Sequence, residues 1–264
     1  RQRQMCIRDR VINAAKDHDY ILLCLGENSY TEKPGDLNDL NLHKLQLKLA
    51  NELSKTGKPI ILVLNIGRPR LISEIEPFMS AILNIYLPGN FGGDALADIV
   101  SGKINPSGKL PYTYPAFPNS LSTYYYKPSE VQNNSQGAYN YVGKLNNLYE
   151  FGYGLSYTKY KYKDFVLEND SLAIIDTIKV SVDVYNKGAM SGFETVQLYT
   201  TDMYASISPD NKRLRAFEKT FIESGSFKKI KFKIPVKDLS FFNINNESSF
   251  ENGDFMISIG PNSK

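Results

Sequence analysis

The sequence predicts an α/β plus all-β chain, a partial parallel α/β sandwich followed by an antiparallel β-sandwich. Three observations carry this. Continuous apolar runs alternate with segments of helical spacing up to about residue 100; a Pro-, Gly- and Tyr-rich stretch then breaks that pattern; and beyond Thr158 the apolar period falls to two.

The elements follow in order. Val11 to Asp19 fits the tail of a helix, and Tyr20 to Leu25 is a continuous apolar strand ending at Gly26. Leu40 to Lys55 places Leu42, Leu45, Leu49 and Leu53 at helical spacing, and Pro59 to Asn65 is a second apolar strand. A second turn at Gly67-Arg-Pro69 leads to a short segment from Leu71 to Pro77. A third strand then spans Ala81 to Tyr86, and a turn at Pro88-Gly-Asn-Phe-Gly-Gly93 opens a helix from Asp94 to Val100. About three strands are few for a doubly wound sheet, so the sheet reads as truncated.

Ser101 to Pro115 leaves the pattern through Gly102, Pro106, Gly108, Pro111 and Pro115. The irregular connector at 116–158 is long for a loop, and eight tyrosines between Tyr112 and Tyr149 argue against disorder. Two readings stay open for these rings, packing on a neighbouring domain or stacking on carbohydrate. From residue 159 to 264, Ile178-x-Val180-x-Val182-x-Val184, Val196 with Leu198, Ile230-x-Phe232-x-Ile234 and Phe255-x-Ile257-x-Ile259 alternate with other residues. Turns at Asn186-Lys-Gly188, Ser224-Gly225 and Asn252-Gly253 separate them, the signature of a β-sandwich of roughly 100 residues.

Residues 1–10 have no period and no turn chemistry, and Met5 to Arg10 resembles a translated sequencing adapter. They are read as a non-native extension, with the α/β domain at 11–115.

Composition excludes several function classes. A net charge of +3, 22% charged and 42% apolar residues describe a globular chain without the basic excess of a nucleic-acid binder. No stretch approaches the roughly 18 to 20 apolar residues of a membrane span. Cys6 and Cys24 suggest no disulfide framework; Cys24, inside an apolar strand, reads as a small buried thiol.

His18 and His43 are the only histidines, read as structural or exposed, and no spacing suggests a metal site. The glycines at 89–93 lack the Lys-Ser/Thr of a phosphate loop and read as chain reversal. The sequons at Asn133, Asn169 and Asn246 match at the rate chance allows in a polar chain. The chemistry-bearing candidate is the loop after the first strand. It presents Glu27, Glu32 and Asp36 at the carboxyl end of a strand, where open α/β sheets place their ligands.

Specific runs then appear in a telling order: Gly26-Glu-Asn-Ser-Tyr-Thr-Glu-Lys-Pro-Gly-Asp36, Leu42 and Gln46, Gly67-Arg-Pro69, Leu87-Pro-Gly89, and Gly92-Gly-Asp-Ala-Leu-Ala-Asp98. Asn105-Pro-Ser-Gly-Lys-Leu-Pro111 and Phe151-Gly-Tyr-Gly-Leu-Ser-Tyr-Thr158 follow, then Gly192-Phe-Glu-Thr-Val-Gln-Leu-Tyr199 and Leu214-Arg-Ala-Phe217. This order resembles the C-terminal part of glycoside hydrolase family 3. The resemblance implies a truncated flavodoxin-like α/β sandwich and an immunoglobulin or fibronectin type III-like module.

It further implies a retaining β-glycosidase, most often a β-glucosidase, acting on an oligosaccharide or β-glycoside without a cofactor. An aspartate nucleophile would lie on an N-terminal (β/α)8 barrel of the same parent chain, outside this sequence. The acid/base maps onto Glu32, within Tyr30-Thr-Glu32. Glu27 is then expected to be held by backbone donors at the strand end, and Asp36 to serve the turn or cap the helix, both shaping the loop together with Tyr30. An extracytoplasmic place is the family's habit. The alternative is a non-catalytic carbohydrate-binding or docking module.

Overall fold

The computed structural model describes residues 2–30, 32–118, 120, 123–128 and 147–264. The Asn133 sequon and the tyrosines Tyr139 and Tyr141 lie outside the described residues. The chain divides into two compact units, residues 1–98 with 115–120, and residues 99–114 with 121–264. Among the described residues no helix is long and apolar enough to cross a membrane.

In the first unit, α1 (Gln2–Lys16) begins earlier than the residue pattern suggests and lies against α2 (Lys44–Ser54). The parallel sheet has the order β1 (Ile21–Gly26), β2 (Ile60–Asn65), β3 (Ala81–Asn84). Its centre is β2, where Ile60, Leu62, Val63 and Leu64 are buried on both faces, as a continuous apolar run requires. The predicted helix start at Leu40 moves to Lys44 because His43 caps it, its Nδ1 accepting from the Leu45 N–H at 3.3 Å. The glycine turn carries Gly89 at φ +64° and leads into α3 (Gly92–Val100).

Strand β1 departs from expectation. Leu23 and Leu25 are buried, but Leu22 is 50% exposed and Cys24 is an exposed thiol. The strand pairs with β2 along one edge and buries one face only, so its side chains alternate although its residues do not. Cys24 is therefore not the buried thiol expected of it.

Among the described residues the second unit is built around two three-stranded antiparallel sheets. One has the order β8 (Phe227–Pro235), β5 (Thr177–Asn186), β4 (Tyr160–Leu167); the other has the order β9 (Phe255–Gly260), β6 (Gly192–Asp202), β7 (Arg213–Ile222). The alternating residues do what their period predicts: Ile178, Val180, Val182, Val184, Val196, Leu198, Ile230, Phe232 and Ile234 form one buried core.

Three of the family-like motifs meet in a polar hub of this unit, centred on the buried Glu194. Asn105 Oδ1 accepts from Ser156 Oγ at 2.8 Å and from the Tyr157 N–H at 2.9 Å. Lys109 Nζ donates to the Gly154 carbonyl at 3.0 Å and lies 3.6 Å from Glu194, whose other oxygen accepts from Tyr162 Oη at 2.8 Å. Burial raises the Glu194 carboxyl above its ordinary value, opposed by Lys109 and the Tyr162 hydroxyl. Several described rings of the tyrosine-rich stretch pack on one another: Tyr124 stacks on Phe151 at 4.3 Å, Tyr149 stacks on Tyr153 at 5.1 Å, and Tyr114 meets Tyr149 edge-on.

Candidate active site

The loop after β1 is rooted by a side chain that imitates a strand. Gln46 of α2 accepts the Gly26 N–H through Oε1 at 3.0 Å and donates from Nε2 to the Gly26 carbonyl at 2.8 Å. Both backbone groups at the strand end are thus satisfied, and the loop leaves from a fixed point.

Glu27 comes next, with its side chain only 3% exposed. The expected backbone donors supply one contact, the Gly67 N–H to Oε2 at 3.2 Å. Two guanidinium groups supply the rest: Arg68 reaches Oε1 through Nη2 at 2.7 Å and Nε at 3.1 Å, and Arg70 Nε lies 2.9 Å from the same oxygen. A buried carboxylate needs such donors. Sequence reasoning gave neither arginine a role, although Arg68 stands in the Gly67-Arg-Pro69 run. Their signal was their position, just after β2 at the same carboxyl end of the sheet.

Tyr30 completes the loop's scaffold. Its ring carries the Arg68 guanidinium 3.8 Å above its centroid, and Arg68 Nη1 also donates to the Gly35 carbonyl. The ring is wedged between two glycines, since a Cβ on Gly35 would lie 2.7 Å from Tyr30 Cδ2 and one on Gly67 would lie 2.2 Å from its hydroxyl. The glycines are there because the tyrosine leaves no room for a methyl group.

On that scaffold sits Glu32. It is solvent-exposed, with φ +45° and ψ −140°, and begins the 3-10 turn Lys33–Gly35, which the Gly35 N–H closes onto the Glu32 carbonyl at 2.8 Å. A left-handed φ is uncommon for a side chain of this kind and costs on the order of 1–3 kcal/mol, which the loop's ties must hold. Asp36 ends the same turn, its N–H donating to the Lys33 carbonyl at 3.0 Å. It serves the turn and not the helix, whose cap is His43. An open depression of about 410 Å³ lies beside the strand end, lined by Gly26, Glu27, Asn28, Leu42, His43, Gln46 and Arg70. Glu32 stands outside it.

The four candidates therefore divide. Glu27, Tyr30 and Asp36 are engaged in building the loop, and Glu32 offers an exposed carboxylate. Among the described residues no group of three or more His, Cys, Asp or Glu could hold a metal ion.

The profile of the glycosyl hydrolase family 3 C-terminal domain matches residues 7–157, and that of a fibronectin type III-like domain matches residues 194–263. The chain belongs to glycosyl hydrolase family 3. It is 37% identical over 254 residues to a β-xylosidase of Formosa agariphila, covering 96% of this chain and 35% of that protein. It is 32% identical to a periplasmic β-glucosidase of Salmonella typhimurium, covering 97% of this chain and 34% of that one. The solved β-glucosidase of Listeria innocua in complex with glucose superposes with a TM-score of 0.90 at 30% identity, over 97% of this family 3 chain and 37% of its own. The chain spans about a third of the length of these relatives.

Proposed function

We propose that this chain supplies the general acid/base to a retaining β-glycosidase acting on β-glucosides or related sugars. The parent protein would carry the aspartate nucleophile on an N-terminal (β/α)8 barrel. The observation that carries the reading is Glu32, an exposed carboxylate in a left-handed backbone conformation, on a loop locked by Glu27, Arg68 and Tyr30 at the carboxyl end of a parallel sheet. Membership of family 3 and the short span relative to β-glucosidase and β-xylosidase relatives support it.

In this reading Glu32 protonates the leaving oxygen while the nucleophile attacks, then removes a proton from the water that releases the sugar. Retention requires the two carboxyl groups about 5 to 5.5 Å apart, so the loop must present Glu32 to the barrel at a set height. The locked scaffold serves that need. The test joins this chain to the barrel of the parent protein and replaces Glu32 by Gln. Hydrolysis of a β-glucoside with a poor leaving group should fall about 10²–10⁴-fold. A substrate that needs no proton should be spared at the bond-breaking step, and azide should restore turnover. Unchanged activity in the variant would overturn the assignment.

A further inference from the structure

The outer face of the β8-β5-β4 sheet gathers positive charge far beyond the chain's share. Because Ile178, Val180, Val182, Val184, Ile230, Phe232 and Ile234 face the core, the alternate residues face outward. On β8 these are Lys229, Lys231 and Lys233; Lys179 lies on β5, Lys161 and Lys163 on β4, and Lys187 in the turn that follows β5. All seven lysines are exposed. The acids among them are Asp183, paired with Lys229 at 2.9 Å, Glu168, 3.5 Å from Lys179, and Asp164 in the β4 bulge. Seven lysines less three acids leave +4 on one sheet face, against +3 for the whole chain.

The same face ends in an aromatic platform. Phe227, half exposed, stacks on Tyr185 at 4.8 Å with ring planes 19° apart, and Lys187 and Lys163 lie 4.8 and 5.6 Å from the Tyr185 centroid. Register puts Phe227, Tyr185 and Lys161 side by side across the three strands.

We propose that this face docks an acidic polysaccharide carrying one carboxylate per sugar, its carboxylates on the lysines and a sugar ring on Phe227 and Tyr185. The chemistry favours this occupant over other polyanions. Recognition of phosphate prefers the planar fork of arginine, and β4, β5 and β8 contain none. A three-stranded sheet face also presents no helix or two-stranded ribbon to enter a nucleic-acid groove. Single point charges roughly 6–7 Å apart along a strand, with a flat apolar surface at one end, suit a polymer of sparse charges and exposed ring faces. The lysines and rings carry this inference without the glycosidase reading.

The test is affinity electrophoresis of the full chain in gels containing polygalacturonate, a neutral β-glucan, or duplex DNA, with anionic vesicles assayed by flotation. Polygalacturonate should retard the chain. Retardation should weaken on the order of tenfold or more in K229Q/K231Q/K233Q and about three- to tenfold in Phe227→Ser, with unchanged circular dichroism. It should also vanish as salt is raised to about 0.5 M in the unaltered protein, which tests the charge requirement even if a variant misfolds. The proposal is overturned by no retardation, by equal retardation in the neutral glucan, by tighter binding to DNA or vesicles, or by insensitivity to salt or to Phe227→Ser.

Discussion

Arg68 is held on three sides by one loop: its guanidinium lies 3.8 Å over the Tyr30 ring, donates to the buried Glu27 carboxylate and reaches the Gly35 carbonyl. Only a planar, multiply donating cation can do all three at once. Arg68→Lys should therefore behave almost like Arg68→Ala. Both are expected to cost about 3–5 kcal/mol in denaturant unfolding of the full chain, because Glu27 loses much of its compensation while staying buried. A lysine variant within 1 kcal/mol of the parent would show that charge alone suffices, an outcome this geometry does not allow.

The contact between Tyr30 and Gly67 predicts a specific rescue. Gly67→Ala sets a methyl 2.2 Å from the Tyr30 hydroxyl and should destabilise the loop by about 1–3 kcal/mol. In a Tyr30→Phe background the hydroxyl is gone and most of that cost should disappear. A double-mutant cycle measures the coupling directly, and additive effects would separate the two residues.

Strand β1 supplies a contrast between neighbours. Leu23→Ala should cost about 2–4 kcal/mol and Leu22→Gln less than about 0.5 kcal/mol, since only the first side chain is buried. Cys24 faces the same way as Leu22 and should react with a thiol reagent in the native chain.

Glu194 gives a pH signature with a definite sign. Its folded carboxyl takes up a proton more readily than its unfolded one, because burial dominates over Lys109 and Tyr162. The stability contributed by that proton is present below the ordinary value of 4.5 and is lost as pH rises through the raised folded value. Melting temperatures of the parent and of Glu194→Gln, followed by tyrosine circular dichroism, should diverge in the parent's favour on acidification through that window. Tyr162→Phe, which removes one donor from the buried carboxylate, should cost about 1–3 kcal/mol.

Local period made much of this fold legible, and distance along the chain concealed the rest. The valines of β5 announce their strand because one face is core and the other solvent. Strand β4 carries a bulge between Lys163 and Val166, and β7 buries only Thr220 and Ile222, so neither presents a clean alternation that would mark it in the sequence. At the site, the loop and its three carboxylates were readable as residues following an apolar strand. That Glu27 belongs to Arg68 and Arg70, some 41 and 43 positions away, is a property of the parallel β1–β2 register, which brings Gly26 beside Asn65. Cys24 was misplaced for a related reason: an apolar residue run reveals what a strand could bury, whereas its neighbours decide which face it does bury.

Gln46 ties Gly26 to the first turns of α2, so both ends of the carboxylate-bearing loop are knotted to each other before the loop begins. A purse closed at the neck can hold more or less without changing shape above the drawstring. Doubling the length of a loop with fixed ends costs only about 0.6 kcal/mol. Insertions between Asp36 and Asn38, clear of the contacts made by Tyr30, Gly35 and Asp39, should therefore leave the sheet, α2 and the hold on Arg68 undisturbed, so the loop can change length without moving the ties beneath it.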